Sequence, residues 1–139
     1  MDNIILDISL KTRMNRTKNE NLTFRKYFFK EYGNPLFCPG ATRLESLIDY
    51  VRVAPRAGEI IELAACAAEA ADNKNWQEAG KILKLFENDR VMKIVESDPK
   101  VSQRVYVALN WVYYTPEVED NIWEMSRKIL NQFGARSMA

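Results

Sequence analysis

Histidine is absent from this 139-residue sequence. Its absence excludes Ser–His and Cys–His nucleophile pairs, imidazole general bases and histidine metal ligands. The sequence also lacks a phosphate-binding loop, a dinucleotide-binding fingerprint and a nucleophile elbow, so we predict no cofactor. Lysine, carboxylate or tyrosine chemistry stays open as an alternative. We therefore expect a protein that is not an enzyme.

Cysteine is scarce, with only Cys38 and Cys66 present, and their spacing matches no metal-binding or redox motif. We expect reduced thiols in a cytoplasmic protein, with a single disulfide as the alternative. Cys66 lies among alanines and is expected to be a small buried side chain. Cys38 precedes Pro39 in a predicted loop and is expected to be more accessible, although no histidine is present to activate it.

Long apolar runs are also missing, because none approaches the roughly 20 residues needed to cross a bilayer. The N-terminus lacks the basic-then-apolar order of a secretion signal. The sequence thus predicts a soluble cytoplasmic protein that does not contact a membrane. Glycine and proline number five each, and 47% hydrophobic with 28% charged residues is typical of a globular chain. We expect residues 1–139 to form a single domain.

Helical periodicity dominates residues 41–134, where apolar positions recur every three or four residues. An alanine-rich helix is predicted over 56–72, and it should allow a neighbouring helix to approach closely. Shorter helices are predicted after Asn75 and over 89–97. The fold class is mainly α, a compact irregular bundle of five to six helices, to which a short N-terminal β-strand or hairpin could be added.

Two of these helices have the sequence of a capping box. Thr42 is followed three residues later by Glu45, and Asn75 is followed at the same spacing by Glu78. In this arrangement the cap side chain accepts a hydrogen bond from the backbone of the third helical residue. We therefore predict that helices begin at these two positions.

The C-terminal stretch 98–134 predicts a pair of helices with defined ends. Asp98 is a suitable cap and Pro99 suits the first helical position, where the missing N–H has no cost. Thr115 and Pro116 repeat this arrangement for the second helix, and Gly134 is the expected stop. The predicted core of the pair comprises Val101, Val105, Leu109, Val112, Val118, Ile122, Met125, Ile129 and Phe133.

Aromatic side chains are concentrated at the junction of this helical pair. Residues 105–114 are apolar or aromatic except at Asn110, so the first helix should be central and Asn110 should lie in a hydrogen-bonded network. Not every aromatic ring there can point inward. Tyrosine and tryptophan are prominent in protein interfaces, and we predict partner binding by Tyr113, Tyr114 and Trp123.

Residues 1–34 form a separate basic segment, which is divided from the helical region by Gly33, Pro35, Pro39 and Gly40. Alternating polar and apolar residues predict a strand over 3–10. Residues 24–32 are predicted to be helical, with a hairpin partner strand over 22–29 as the alternative. An exposed strand near the N-terminus could also pair across a homodimer.

Charge is distributed unevenly along the chain, which has a net charge of +1. Basic residues exceed acidic ones by three in residues 1–40, whereas acidic residues exceed basic ones by three in 41–80. Clustered lysine and arginine beside aromatic rings is the pattern that binds nucleic acid. The alternative to partner-protein binding is therefore a nucleic-acid-associated regulator that uses Arg13, Arg16, Lys18, Arg25 and Lys26.

Carboxylates at helical spacing suggest one further site, at Glu59, Glu62, Cys66 and Glu69. Di-metal bundles combine such carboxylates with histidine from several helices. Because histidine is absent, we interpret these residues as a solvated face and predict no metal. By elimination, the sequence favours a small protein that binds another protein, such as an inhibitor, an immunity protein, a secretion chaperone, or a phage or viral accessory factor.

Overall fold

A computed structural model describes residues 22–137 of the chain, with side chains described up to residue 133. These residues form seven helices and no strand. The helices are α1 Phe24–Tyr32, α2 Ala41–Val53, α3 Ala57–Asp72, α4 Trp76–Leu85, α5 Asp89–Ser97, α6 Pro99–Tyr113 and α7 Asp120–Ser137.

The mainly α fold class is confirmed, with seven helices in the described region in place of five to six. Residues 22–29 do not form the hairpin strand, because Thr23 caps α1 by accepting a hydrogen bond at Oγ1 from the N–H of Lys26 at 3.3 Å. The predicted strand over 3–10 and its homodimer contact lie outside the described residues.

Two of the predicted helix starts are confirmed. The Asn75 side chain accepts a hydrogen bond from the N–H of Glu78 at 3.3 Å, and α4 follows it. Asp98 accepts a hydrogen bond from the N–H of Lys100 at 2.9 Å, with Pro99 as the first residue of α6. In both cases a short polar side chain satisfies an N–H that the helix leaves open.

The predicted start at Thr42 is wrong, because α2 begins one residue earlier, at Ala41. Gly40 takes the extended capping conformation, with φ −64° and ψ 167°, and makes no side-chain cap. The chain leaves this extended conformation directly after Gly40. Thr42 is consequently placed inside the first turn and does not precede it.

The predicted ends of the last helix are also wrong. The Thr115 hydroxyl donates to the carbonyl of Trp111 at 2.8 Å, so it closes α6 and does not cap α7. Glu117 then takes a left-handed conformation, with φ 60°, which delays α7 until Asp120. Gly134 does not stop α7, which runs on to Ser137. Glycine only weakens a helix interior, at a cost of about 1 kcal/mol, and does not have to end it.

The core is centred on α3 and α6, which make the most extensive contact in the bundle. Small side chains make this approach possible, because Ala64, Ala65, Ala67, Ala68 and Ala71 are all buried in α3. All the predicted core residues of 98–134 are buried except two, Val118 and Met125, which are half-buried at its edge. The expected close helix approach is thus present.

One carboxylate connects three of the helices. Asp72, at the end of α3, accepts a hydrogen bond from the Trp111 indole N–H of α6 at 2.8 Å. Its other oxygen accepts from the backbone N–H of Phe24, the first residue of α1, at 2.6 Å. The Phe24 and Trp111 rings meet edge-on at 5.3 Å between centroids. Asp72 therefore fixes α1 against the central pair of helices.

Replacing Asp72 with alanine is expected to lower the free energy of unfolding by about 2–4 kcal/mol, because two buried N–H donors would lose their acceptor. Urea unfolding followed by circular dichroism measures the change. The matched control is Asp49→Ala, which removes only an exposed ion pair with Arg52 and should cost less than about 1 kcal/mol. Equal losses in the two variants would contradict this role of Asp72.

Candidate protein-binding surface

The junction of α6 and α7 brings the three predicted partner-binding residues together. Tyr113 is the last residue of α6, and Tyr114 is its C-terminal cap, with its N–H donating to the Asn110 carbonyl at 3.0 Å. Trp123 lies in the first turn of α7. Because α6 and α7 run antiparallel and pack against each other, the end of one helix faces the start of the other.

The rings form a continuous cluster, which we call the aromatic corner and define as Tyr113, Tyr114, Trp123 and Arg127. Tyr113 stacks on Trp123 with 5.6 Å between ring centroids and 23° between ring planes. Tyr114 meets Tyr113 edge-on at 4.9 Å. The Arg127 guanidinium carbon lies 5.6 Å from the centroid of the Trp123 ring, within the range of a cation–π interaction.

Burial differs across the aromatic corner. Both tyrosines are half-buried, whereas Trp123 is 37% exposed and is one of the large apolar side chains of the described surface. Trp111, twelve residues earlier on α6, is fully buried. The two tyrosines of the cluster are thus partly covered by the fold, whereas the tryptophan is accessible to solvent.

The charge around the aromatic corner is acidic. The Arg127 guanidinium is paired with Glu124, and this hydrogen bond lowers the pKa of Glu124 and raises that of Arg127. Residues 117–124 contain four acidic side chains and no basic one. Two of the four, Glu117 and Glu124, pair with Lys74 and Arg127. The remaining negative charge at Glu119 and Asp120 favours a positively charged ligand over phosphate.

The loop below the aromatic corner is fixed to the fold at two points. Buried Thr115 makes its hydrogen bond to α6, and Glu117 pairs with Lys74 of the α3–α4 turn at 3.1 Å. Both members of that pair have positive φ, 60° for Glu117 and 58° for Lys74. The two turns that contain these left-handed residues therefore lie next to each other.

The candidate nucleic-acid residues have different environments. Arg13, Arg16 and Lys18 lie outside the described residues. Arg25 pairs with Glu69 at 2.6 Å and donates to the Leu36 carbonyl at 2.5 Å, and the bond to Glu69 raises its pKa.

The exposed side chain of Lys26 lies beside Arg25 on α1. The guanidinium of Arg25 is therefore engaged within the fold, although its side chain is 49% exposed.

No arrangement suited to a metal occurs in the described part of the chain. The predicted solvated face is occupied in part by structural contacts, because Glu69 pairs with Arg25 and Cys66 is buried. Only Glu62 of the suspected set is exposed. Within residues 22–137, no helix has the length and apolarity that a bilayer crossing requires.

Two shallow surface depressions flank α4. One of about 340 Å³ lies towards α2, and one of about 380 Å³ lies towards the start of α7. Lys81 and Lys84 line both, and Glu45 pairs with Lys81 at 2.5 Å, which lowers the pKa of Glu45. Opposite charges alternate along these walls, and no set of side chains converges on a single point.

Sequence reasoning missed several exposed apolar side chains. Phe29 is 57% exposed, because Phe24 and Tyr27 provide the buried face of α1. Phe37 in the α1–α2 loop is 72% exposed, and Tyr50 and Val53 on α2 are 47% and 71% exposed. Helical periodicity shows which residues share a face of α1. It does not show which face is buried until the position of the neighbouring helix is known.

Comparisons of the chain with protein-family models, curated proteins and solved structures find no match. The aromatic corner is the place where the predicted binding residues meet.

Trp123→Ala is expected to reduce the free energy of unfolding by only about 1–2 kcal/mol, since it removes one stacking and one cation–π contact at a partly exposed site. Trp111→Ala should cost about 3–5 kcal/mol, because it opens a cavity in the core. Chemical denaturation of the two variants checks the order. A loss at Trp123 as large as that at Trp111 would mean that Trp123 serves mainly to hold the fold together.

Proposed function

We propose that this protein acts without catalysis, by binding another protein through the aromatic corner. The observation that carries the proposal is the partly exposed Trp123 ring, which contacts both Tyr113 and Arg127. Tryptophan, tyrosine and arginine are the residues that most often dominate binding energy in interfaces. The alternative is that the cluster only stabilises the helix junction. The unfolding free energies of Trp123→Ala and Trp111→Ala distinguish this structural role from a binding role.

Preorganisation supports the proposal. Stacking on Tyr113 restricts the Trp123 ring before any partner arrives, so less side-chain entropy is lost on binding. Aromatic side chains also provide a large contact area with only two rotatable bonds. A ring that is held in place but exposed is therefore well suited to enter a pocket on a partner.

The acidic rim indicates the chemistry of the partner. Asp120 and Glu124 lie near Trp123 in the sequence of α7, and Glu119 directly precedes that helix. Charges of this kind act mainly on the association rate and on the choice of partner. We expect the partner to present an apolar pocket with a basic rim, and the complex to weaken as salt concentration rises.

This function suits an inhibitor, an immunity protein, a secretion chaperone, or a phage or viral accessory factor that works in the cytoplasm. The nucleic-acid alternative has less support, because Arg25 is engaged with Glu69 and the aromatic corner is acidic. No observation on the described residues specifically favours nucleic-acid binding, and the experiment below distinguishes it from protein binding.

The test is affinity capture from the native host with the tagged full chain, followed by a binding measurement on the captured partner. Trp123→Ala should weaken binding by at least about tenfold, which corresponds to about 1.4 kcal/mol. The matched control is Tyr50→Ala, which removes another exposed aromatic ring lying 6.0 Å from an arginine, Arg56. This control should bind as the wild type does.

Equal binding by both variants would contradict the assignment to the aromatic corner. Capture of nucleic acid in place of protein, with affinity that falls steeply with salt and is lost on charge reversal at Arg13, Arg16 and Lys26, would favour the alternative function. Arg25 is left unchanged in that variant because it supports the fold through Glu69.

A further inference from the structure

The α1–α2 loop, residues 33–40, lies against α3 and is held there by several contacts. The Leu36 side chain is buried, and its carbonyl accepts the hydrogen bond from Arg25. The next carbonyl, that of Phe37, lies 3.9 Å from the Cys66 sulfur of α3, within reach of a thiol hydrogen bond. The loop therefore follows the surface of α3 at the level of Cys66.

This path places the only two cysteines of the sequence beside each other. Cys38 directly follows Phe37, and its thiol lies close enough to Cys66 and Glu69 for both to raise its pKa. Both thiols are free; Cys38 is half-buried and Cys66 is buried. Twenty-seven residues lie between positions 38 and 66 in the sequence. The proximity of the two cysteines therefore could not be predicted from a short sequence motif.

The surroundings of Cys38 favour its protonated thiol. The hydrogen bond with Cys66, burial and the nearby Glu69 together raise the pKa of Cys38. Within the described part of the chain, the cation that acts on both cysteines is Arg25, and it is paired with Glu69 at 2.6 Å. An attacking thiolate is consequently scarce at neutral pH, which slows thiol exchange.

We propose that Cys38 and Cys66 form a reversible intramolecular disulfide that locks the α1–α2 loop onto α3 when a small-molecule disulfide such as oxidised glutathione is present. The thiolate of Cys38, the more accessible sulfur, attacks one glutathione sulfur, and the first glutathione thiolate leaves. Cys66 then loses its proton and attacks the Cys38 sulfur, and the second glutathione thiolate leaves. Two protein thiols are oxidised, and one glutathione disulfide is reduced to two thiols that take up the two protons.

The locked loop carries Phe37, which is 72% exposed. The disulfide would hold this ring on the surface of α3 and would close a chain segment between positions 38 and 66. Closing a segment of that length reduces the entropy of the unfolded chain, so the oxidised protein should melt roughly 5–15 °C higher than the reduced protein.

The test treats the reduced, folded full chain with oxidised glutathione and follows its intact mass. The mass should fall by about 2 Da without dimers forming, the change should reverse with dithiothreitol, and it should be faster at pH 9 than at pH 7. The melting temperature is measured before and after oxidation. Peptide mapping without reductant should recover residues 38 and 66 in one linked pair.

Two variants separate the roles of the cysteines. Cys66→Ser should stop at the first step and retain one glutathione on Cys38, a gain of about 305 Da. Cys38→Ser should stay unmodified while folded, because Cys66 is 3% exposed. The proposal is overturned if the folded wild type stays reduced, if it acquires two glutathiones or forms linked dimers, or if the linked protein melts at a lower temperature.

Discussion

The fold depends on the carboxylate of Asp72, because this one side chain satisfies buried donors on two other helices. Its oxygens accept from the Trp111 indole at 2.8 Å and from the Phe24 backbone at 2.6 Å. A buried N–H without an acceptor is costly, so the position of α1 is tied to the central helices. Close packing of the alanine-rich α3 against α6 provides the apolar part of the same junction.

The two tryptophans of the C-terminal helical pair have opposite environments, and the difference follows from where α6 ends. Trp111 points into the core and donates to Asp72. Trp123 follows a loop that Thr115 and Glu117 hold in a non-helical path, and it emerges beside Tyr113 with part of its ring in solvent. Trp111 thus stabilises the fold. Trp123 contributes less to stability, and its ring is partly accessible to a partner.

The sequence predicted the features that depend on local chemistry. The cap at Asp98 and the proline after it obey rules that involve neighbouring residues only, and the structure confirms them. The start predicted at Thr115 was wrong because the hydroxyl bonds backwards to Trp111, a choice between two local partners that the sequence does not reveal. Contacts between distant residues were out of reach, including Asp72 with Trp111 and Cys38 with Cys66. The meeting of Tyr113, Tyr114 and Trp123 was predictable because two adjacent helices join there.

Site-specific photo-crosslinking in the native host tests most directly the proposal that the aromatic corner contacts a partner protein. A photoreactive amino acid is placed at Asp120, which precedes Trp123 by three residues on the same face of α7, and in a second chain at Val53, which is 71% exposed on α2. The account predicts one discrete protein adduct from position 120 that is absent from position 53. The same adducts from both positions, or a discrete adduct from position 53 alone, would contradict it.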